Sequence, residues 1–252
     1  MADQQLPQRL PPEILQRLSR LTTPTVYNGW ELITRRNAAR DCFNIEETRD
    51  FAPQLGAMVG YAVTAKVQVG GPRAPDNRRR WGDFRAHVAA VPGPKIVVVQ
   101  DLDKPRVYGS IWGEIAANTF RSLGCVGTIT DGGARDLDEM AAAGFKAIAR
   151  RACAGHGVGT LVEFDCEVDV FGVNVAPGRL IHADQHGFLV IPPEDEPRLV
   201  HAAEYLHTAE ADLLRAARNS AVSHEAFLAQ FDAAIEAFVN KAKVFAEGRG
   251  EW

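Results

Sequence analysis

The sequence has few cysteines and no long hydrophobic segment, and both scarcities narrow the class of protein. Its four cysteines among 252 residues show neither CxxC spacing nor the density of a disulfide scaffold. No segment approaches the roughly eighteen apolar residues of a transmembrane helix, and the first residues lack the apolar centre of a signal peptide. We therefore expect a cytoplasmic protein with reduced thiols.

Two further absences concern ligands. The formal net charge of −4 lacks the basic excess of a nucleic-acid-binding protein, and we expect neither a nucleic-acid nor a membrane partner. No GxGxxG motif opens the chain, which argues against a Rossmann-type methyltransferase. With 46% hydrophobic and 24% charged residues, the composition is that of an ordinary globular protein.

Apolar runs alternate with short amphipathic segments through much of the chain. PPEILQRLSRL and TTPTVYNGWELI predict two helices near the start. Four strands are predicted after them, at MVGYAVTAKVQV, KIVVVQ, GCVGTIT and FKAIAR. Two helices, EIAANTFRSL and LDEMAAA, separate the last three strands and end at Gly124 and Gly144. This alternation favours an α/β core with parallel strands.

The later part of the chain changes character. Residues 166–192 alternate between apolar and polar, which predicts a β-meander with turns at Pro177-Gly178 and His186-Gly187. From about Glu196 the pattern is helical. One apolar stripe there is typical of a core or a subunit interface and consists of Phe227, Phe231, Ile235 and Phe238.

The segment TITDGGARDLDEM concentrates charge at the end of a predicted strand. Gly132 and Gly133 are expected to form a turn. Asp136 precedes a helix and has Glu139 three residues later, which is the spacing of a capping box, with Arg135 as a surface charge. Alternatively, Arg135 and Asp136 hold a metal ion and an acidic substrate. The segment alone leaves both interpretations open.

A second glycine-rich loop, in RVYGSIWGEIAANTF, supports the second interpretation. Gly109 and Gly113 permit close approach of a ligand, and a helix that begins near Glu114 offers free N–H groups to an anion. Both loops follow strands of one α/β unit, and ligands bind beyond the carboxyl ends of such strands. We therefore expect the two loops to form one site.

The run WGEIAANTFRSLGCVGTITDGGARDLDEM resembles the family named for regulator of ribonuclease activity A, the RraA-like family. This family also contains the class II 4-hydroxy-4-methyl-2-oxoglutarate/4-carboxy-4-hydroxy-2-oxoadipate aldolases. Its hallmark is an acidic residue, a gap of twenty residues and an Arg-Asp pair, present here as Glu114, Arg135 and Asp136. The aldolases usually carry Asp where Glu114 stands. Patterns similar to GYAVTAKV and VFGVNVAPGRLIHADQHGFLVIP extend the resemblance over about residues 20–215.

The resemblance implies an α/β protein with the swivelling β/β/α fold of phosphohistidine domains, with N- and C-terminal helices. We expect a single domain over residues 1–252, with its core at about 20–215 and a helical extension at 216–252. Family members are usually trimers or hexamers, so we also expect a homotrimer or a homohexamer.

The same resemblance implies a divalent-metal-dependent lyase. Its reaction would be retro-aldol cleavage of a 4-hydroxy-2-oxo acid to pyruvate, with oxaloacetate decarboxylation as a side activity. Asp136 would bind Mg²⁺ or Mn²⁺, mostly through waters, and Arg135 would stabilise the enolate charge. The remaining alternative is a non-catalytic regulator that binds a ribonuclease.

Further roles are implied for residues around the helix start. The backbone N–H groups that would bind the substrate carboxylate belong to Gly113, Glu114, Ile115 and Ala116. The Glu114 carboxylate would orient a water that removes the C4 hydroxyl proton. A carboxylate from a neighbouring subunit's C-terminal helix is also implied, with Glu210 as the first candidate and Glu204 as the second.

Two other groups of residues invite interpretation. A zinc site would draw on Cys153, His156, His182 and His186, but their spacing matches no compact zinc pattern, and we expect His182 or His186 at most at the rim of the site. The basic stretch at 71–85 is interpreted as a solvated loop. If it instead reaches the site, one of its clustered arginines, Arg78, Arg79 or Arg80, would recognise the distal acid of a 2-oxo diacid.

Overall fold

A computed structural model describes residues 9–219 and 223–248. The chain divides into two compact units. The first combines the chain up to Thr23 with Ala39–Pro193, and the second combines Pro24–Ala38 with the chain from Glu194 onward. The expected single domain, with a helical extension at 216–252, stays a prediction. Residues 220–222 and 249–252 of that extension lie outside the described residues.

The strands of the first unit include all four predicted apolar runs. In chain order the strands are β1 (Arg49–Asp50), β2 (Met58–Gln68), β3 (Lys95–Asp101), β4 (Ser110–Trp112), β5 (Cys125–Ala134), β6 (Lys146–Ala152), β7 (Thr160–Phe164), β8 (Val168–Val170), β9 (Val173–Val175), β10 (Leu180–Asp184) and β11 (Gly187–Ile191). Among the described residues, nine strands form one sheet in the order β1-β6-β5-β3-β2-β10-β11, with β4 added to β5 and β7 to β2. The remaining two, β8 and β9, pair with each other.

The centre of the sheet is parallel, as predicted, through the pairs β2–β3, β3–β5 and β5–β6. The predicted meander is wrong in its pairing, because β10 pairs with β2 instead of β9. The segment therefore forms two separate antiparallel hairpins, β8–β9 and β10–β11. The turn at Pro177-Gly178 is present, and the turn between β10 and β11 lies at residues 185–186, one position earlier than predicted.

The helices also follow the predicted segments, with one addition, α3. They are α1 (Pro12–Leu18), α2 (Thr23–Ile33), α3 (Asn77–Ala90), α4 (Glu114–Ser122), α5 (Leu137–Ala142), α6 (Glu196–Arg218) and α7 (His224–Ala246), together with a short 3-10 helix at Pro53–Leu55. Helices α4 and α5 are followed by Gly124 and Gly144 at φ +83° and +67°. Glycine adopts this left-handed backbone without the steric cost of a Cβ, which ends both helices as predicted.

Side chains on the two faces of the sheet build two apolar clusters. Ile96 and Val98 of β3 pack in a cluster with the β8–β9 hairpin, whereas Val97 and Val99 pack in a cluster with α3, α4 and α5. Successive side chains of a strand point to opposite faces, so one buried apolar strand serves both clusters. The result is three layers: hairpin, sheet and helices. This is the β/β/α arrangement that the resemblance implied.

The second unit consists of α6, α7 and all of α2 except its first residue. Helix α2 packs closely on α6, since a Cβ at Gly29 would lie 2.4 Å from backbone atoms of Ala203. Trp30 of α2 is buried, and its Nε1 donates a hydrogen bond to Asp195 at 2.8 Å. Helix α7 contributes Phe245, whose ring centroid lies 4.8 Å from that of Tyr205. In the described residues, no helix combines the length and the apolar character needed to cross a bilayer.

The basic stretch at 71–85 is not a loop throughout, and this prediction is wrong. Helix α3 begins at Asn77, so Arg78, Arg79, Arg80 and Arg85 are all helical. Two kinds of contact, ion pairs and apolar burial, hold this helix despite its weak apolar pattern. Arg79 and Arg80 both pair with Asp76 just before the helix, at 3.3 and 2.9 Å, and Phe84 and Val88 bury one face against the sheet.

A buried ion pair joins the edge strand β1 to β6. The side chains of Lys146 and Asp50 are each 2% exposed, and Lys146 Nζ also donates to the carbonyl oxygen of Ala52 at 2.8 Å. A buried ion pair adds little net stability, but removal of one partner leaves an uncompensated charge in the interior.

We predict that Lys146→Met lowers the free energy of unfolding by about 3–5 kcal/mol, because the Asp50 carboxylate loses its buried cation. Chemical denaturation monitored by circular dichroism measures this change. The double variant Lys146→Met/Asp50→Asn should recover part of the loss. A loss below about 1 kcal/mol in the single variant would contradict the prediction.

Candidate active site

The candidate site begins where β4 runs parallel to β5. Ser110 pairs with Gly133, and the turn predicted at Gly132 and Gly133 is absent because both glycines lie within β5. A Cβ at Gly133 would lie 2.5 Å from Sγ of Cys153. Glycine at this position therefore lets Cys153, which follows β6, pack closely against β5.

The end of β4 brings the start of α4 against the Arg-Asp pair. Gly113 precedes α4 in extended backbone, and a Cβ there would lie 2.6 Å from Oδ2 of Asp136. The Asp136 carboxylate thus fills the space that a side chain at position 113 would occupy. Its Oδ2 accepts a hydrogen bond from the backbone N–H of Glu114 at 3.1 Å. The two glycine-rich loops meet, as the sequence predicted.

Asp136 has a left-handed backbone, with φ 51° and ψ 49°. Its side chain forms no capping hydrogen bond with α5, so the capping box with Glu139 is wrong. The carboxylate is instead directed to the first residue of α4. A non-glycine residue in this backbone region costs about 1 kcal/mol, and such residues are frequent at functional sites.

The guanidinium of Arg135 lies beside this carboxylate. Its Nε is 3.3 Å from Oδ1 and 3.4 Å from Oδ2 of Asp136, and the two side chains are 33% and 34% exposed. Within the described residues, the terminal nitrogens of Arg135 donate no hydrogen bond. The planar end of the guanidinium is therefore available to an anionic ligand.

A pocket of about 400 Å³ opens beside the pair. Gly113, Ile115 and Ala116 line this pocket, together with Arg135 and Asp136. The backbone N–H groups of Ile115 and Ala116 belong to the first turn of α4, whose N-cap residue Gly113 has no side chain to accept from them, and neither group has an acceptor in the described part of the chain. Free amides at a helix start attract carboxylates and phosphates.

The side chains of the predicted glutamates do not line this pocket. Glu114 contributes its backbone N–H to Asp136, but its side chain is exposed and is not part of the pocket lining. Glu210 belongs to α6 in the second unit, where its carboxylate accepts a hydrogen bond from Asn28 at 3.1 Å. Glu204 lies on the same helix. Their contribution to a neighbouring subunit's site stays a prediction.

Several lining side chains were not among the predicted site residues, and three of them are polar or aromatic groups from other segments: Trp81 and Arg85 from α3, and His156 from the segment before β7. The glycines around His156, in GHGVG, were a usable signal, since glycines often flank a ligand site. No local signal marked Trp81, because its stretch was interpreted as a loop.

The four residues considered for zinc lie in different surroundings. His182 is buried, with Nδ1 2.9 Å from Thr23 Oγ1 and Nε2 3.0 Å from the carbonyl oxygen of Leu18, and its burial lowers its pKa. His186 lies 3.0 Å from an Asp184 oxygen. The predicted rim position of His182 is therefore wrong. The histidine that lines the pocket is His156.

The oxygen ligands that the pocket offers fit a hard divalent cation whose coordination is completed mainly by waters and substrate oxygens. Asp136 supplies a half-exposed carboxylate within a cradle that depends on the missing side chain of Gly113. Among the described residues, no three His, Cys, Asp or Glu side chains converge to hold a metal by themselves. Mg²⁺ is commonly bound through one or two carboxylates, with waters and substrate oxygens completing its coordination.

These layers and this pocket define an α/β protein with a pocket beside a helix start. Comparison with known proteins gives the family: the chain matches the model described as RraA-like (Aldolase/RraA) over residues 23–190. The chain therefore belongs to the RraA-like family. This family contains both aldolases and non-catalytic regulators.

Individual relatives are distant. An uncharacterized protein of Methanocaldococcus jannaschii is 26% identical over 152 residues, which are 60% of this chain and 68% of that protein. A Halalkalibacterium halodurans protein, provisionally named a 4-hydroxy-4-methyl-2-oxoglutarate aldolase, is 27% identical over 149 residues, or 58% of this chain and 68% of that protein.

The solved structures include Streptomyces coelicolor RraAS2, described as an unusual member of the RNase ES inhibitor RraA protein family. It shares 21% identity with this chain at a TM-score of 0.59, and the match covers 81% of this chain and 96% of RraAS2. This likeness confirms the predicted fold.

We predict that Gly113→Ala displaces the Asp136 carboxylate, because the new Cβ would lie 2.6 Å from Oδ2. The variant should lose the hydrogen bond from Glu114 and about 1–3 kcal/mol of unfolding free energy. Thermal denaturation and a crystal structure of the variant measure both effects. Gly82→Ala is the matched control, since its Cβ meets nothing within 4 Å and should leave stability unchanged or higher. Equal effects of the two substitutions would contradict the prediction.

Proposed function

We propose that this protein is a divalent-metal-dependent lyase that cleaves a 4-hydroxy-2-oxo acid, of the 4-hydroxy-4-methyl-2-oxoglutarate type, to pyruvate by retro-aldol reaction. Oxaloacetate decarboxylation would accompany this activity, because both reactions produce the enolate of pyruvate. One observation supports the proposal above the others. A guanidinium, a carboxylate and two free helix amides border one pocket.

The pocket offers a separate partner for each end of the pyruvyl group. The free amides of Ile115 and Ala116 suit the substrate carboxylate, since the helix start carries partial positive charge. Arg135 suits the C2 oxygen, where negative charge develops as the carbon–carbon bond breaks. When bound at Asp136, Mg²⁺ or Mn²⁺ would supply a Lewis acid for the same charge.

Bond cleavage requires removal of the C4 hydroxyl proton. The electron pair of that O–H bond forms the new carbonyl at C4, and the pair from the C3–C4 bond moves between C3 and C2, which leaves negative charge on the C2 oxygen. Protonation at C3 then yields pyruvate. We assign the first proton transfer to a water oriented by the exposed Glu114 carboxylate, with Glu210 of a neighbouring subunit as a second participant.

The alternative is a non-catalytic regulator of a ribonuclease, because the fold is shared with RraAS2 and a fold does not determine function. The left-handed Asp136 and the free amides favour the enzyme, since binding to another protein surface requires neither. Pyruvate release from oxaloacetate, with Mg²⁺ and then with EDTA, separates the two functions. A regulator would release no pyruvate above the rate in protein-free buffer.

We predict that Asp136→Ala reduces Mg²⁺-dependent pyruvate release by at least roughly a hundredfold, because the metal contributes several kcal/mol to stabilisation of the charge. The fold should persist, since the lost hydrogen bond to the Glu114 N–H costs about 1 kcal/mol. Steady-state kinetics and circular dichroism check both parts. Asp138→Ala, an exposed neighbour in α5, is the control and should retain activity. Full activity of Asp136→Ala would eliminate Asp136 as the metal ligand.

We also predict that Arg135→Lys lowers kcat by roughly a hundredfold with a smaller change in KM, because lysine keeps the charge but loses the planar fork. A loss in kcat is expected when the interaction strengthens as enolate charge develops. The exposed Arg121→Lys at the other end of α4 is the matched control. An effect confined to KM would show that Arg135 contributes only to ground-state binding.

A further inference from the structure

Helix α3 presents two side chains to the pocket, Trp81 and Arg85. Their spacing of four residues puts them on the same face of the helix, one turn apart. They approach the pocket from a different element than Arg135, which follows β5. The pocket therefore has a second wall with its own chemistry, an indole followed by a guanidinium.

Hydrogen bonds fix this wall in position. The carbonyl oxygen of Gly159 accepts from Trp81 Nε1 at 2.8 Å and from Asn77 Nδ2 at 3.2 Å. Asn77 is buried, and its Oδ1 accepts from the backbone N–H of Leu161 at 3.0 Å. The first turns of α3 are thus attached to the segment that leads into β7, and Arg85 follows Trp81 by one turn.

The pocket lining contains two arginines but a single carboxylate, that of Asp136. Arg135 has Asp136 at 3.3 Å, whereas Arg85 forms no hydrogen bond or ion pair in the described part of the chain. The clustered arginines differ from Arg85 in this respect. Arg79 and Arg80 both pair with Asp76, and Arg80 also donates to the carbonyl oxygen of Val162 at 3.2 Å. Neither of them lines the pocket.

We propose that Arg85 recognises the distal carboxylate of the substrate and that Trp81 borders the carbon chain between the two acidic ends. This inference rests on the proposed 2-oxo acid function. It replaces the assignment of Arg78, Arg79 or Arg80 to the distal acid. A pocket of about 400 Å³ exceeds the needs of pyruvate alone, since pockets of roughly 300–1,000 Å³ enclose most of a drug-sized ligand. The substrate class is a 2-oxo diacid longer than oxaloacetate.

A pair of ligands that differ only at the distal end tests the inference. 2-Oxoadipate and 2-oxohexanoate have the same six carbons and the same 2-oxo acid head, but only the first has a distal carboxylate. Neither has a 4-hydroxyl group, so neither can undergo the retro-aldol reaction. Isothermal titration calorimetry with excess Mg²⁺ measures their binding to the full-length protein.

We predict that the native protein binds 2-oxoadipate roughly 10- to 100-fold more tightly than 2-oxohexanoate, as expected for one charge-assisted pair in a partly buried pocket. Arg85→Gln should remove this preference while leaving 2-oxohexanoate binding unchanged, and Arg85→Lys should restore part of it. Arg78→Gln removes the same charge from an exposed position of α3 outside the pocket lining and should preserve the preference.

The outcomes separate this inference from the proposed function. If Arg85→Gln keeps the native preference, or if Arg78→Gln loses it equally, Arg85 is not the distal partner, whether or not the protein releases pyruvate. If the preference is present and depends on Arg85 but no 4-hydroxy-2-oxo acid is cleaved, the binding inference holds and the lyase function is wrong. Equal binding of both ligands to the native protein would overturn the inference.

Discussion

The parallel pairing of β4 with β5 is the interaction on which the candidate site depends. It places Ser110 opposite Gly133, so the chain that leaves β4 enters α4 directly beside the chain that leaves β5. The absence of a side chain at Gly113 then lets the Asp136 carboxylate reach the first amide of α4. Without this register, the helix amides and the Arg135 guanidinium would not border the same pocket.

The α/β character of the fold was readable from the sequence, because buried parallel strands appear as continuous apolar runs such as the one in β3. Helix ends were readable where glycine adopts positive φ, as at Gly124. The pairing of β10 was not readable, since its partner β2 lies more than a hundred residues earlier in the chain. Helix α3 was missed because three consecutive arginines hide a narrow buried face that rests on Phe84 and Val88.

In the site too, residues within short sequence motifs were predicted, whereas residues placed by contacts between distant segments were not. Gly113, Arg135 and Asp136 lie in short segments with a recognisable glycine and charge pattern, and the family resemblance connects those segments. Trp81 and Arg85 come from an element that no motif links to the Arg-Asp pair, and their position depends on a hydrogen bond to Gly159. The orientation of Asp136 was also beyond local reasoning. Its spacing to Glu139 suits a cap, yet its backbone turns the carboxylate away from α5.

The unusual backbone of Asp136 also bears on the thermodynamics of ligand binding. Its carboxylate is held by the amide of Glu114 and by Arg135 before any ligand arrives, so the loop is preorganised. Ordering a flexible loop during association would lower affinity by the conformational entropy lost. Here that entropy is lost when the chain folds, and a ligand of the proposed kind would meet a carboxylate whose position is already set.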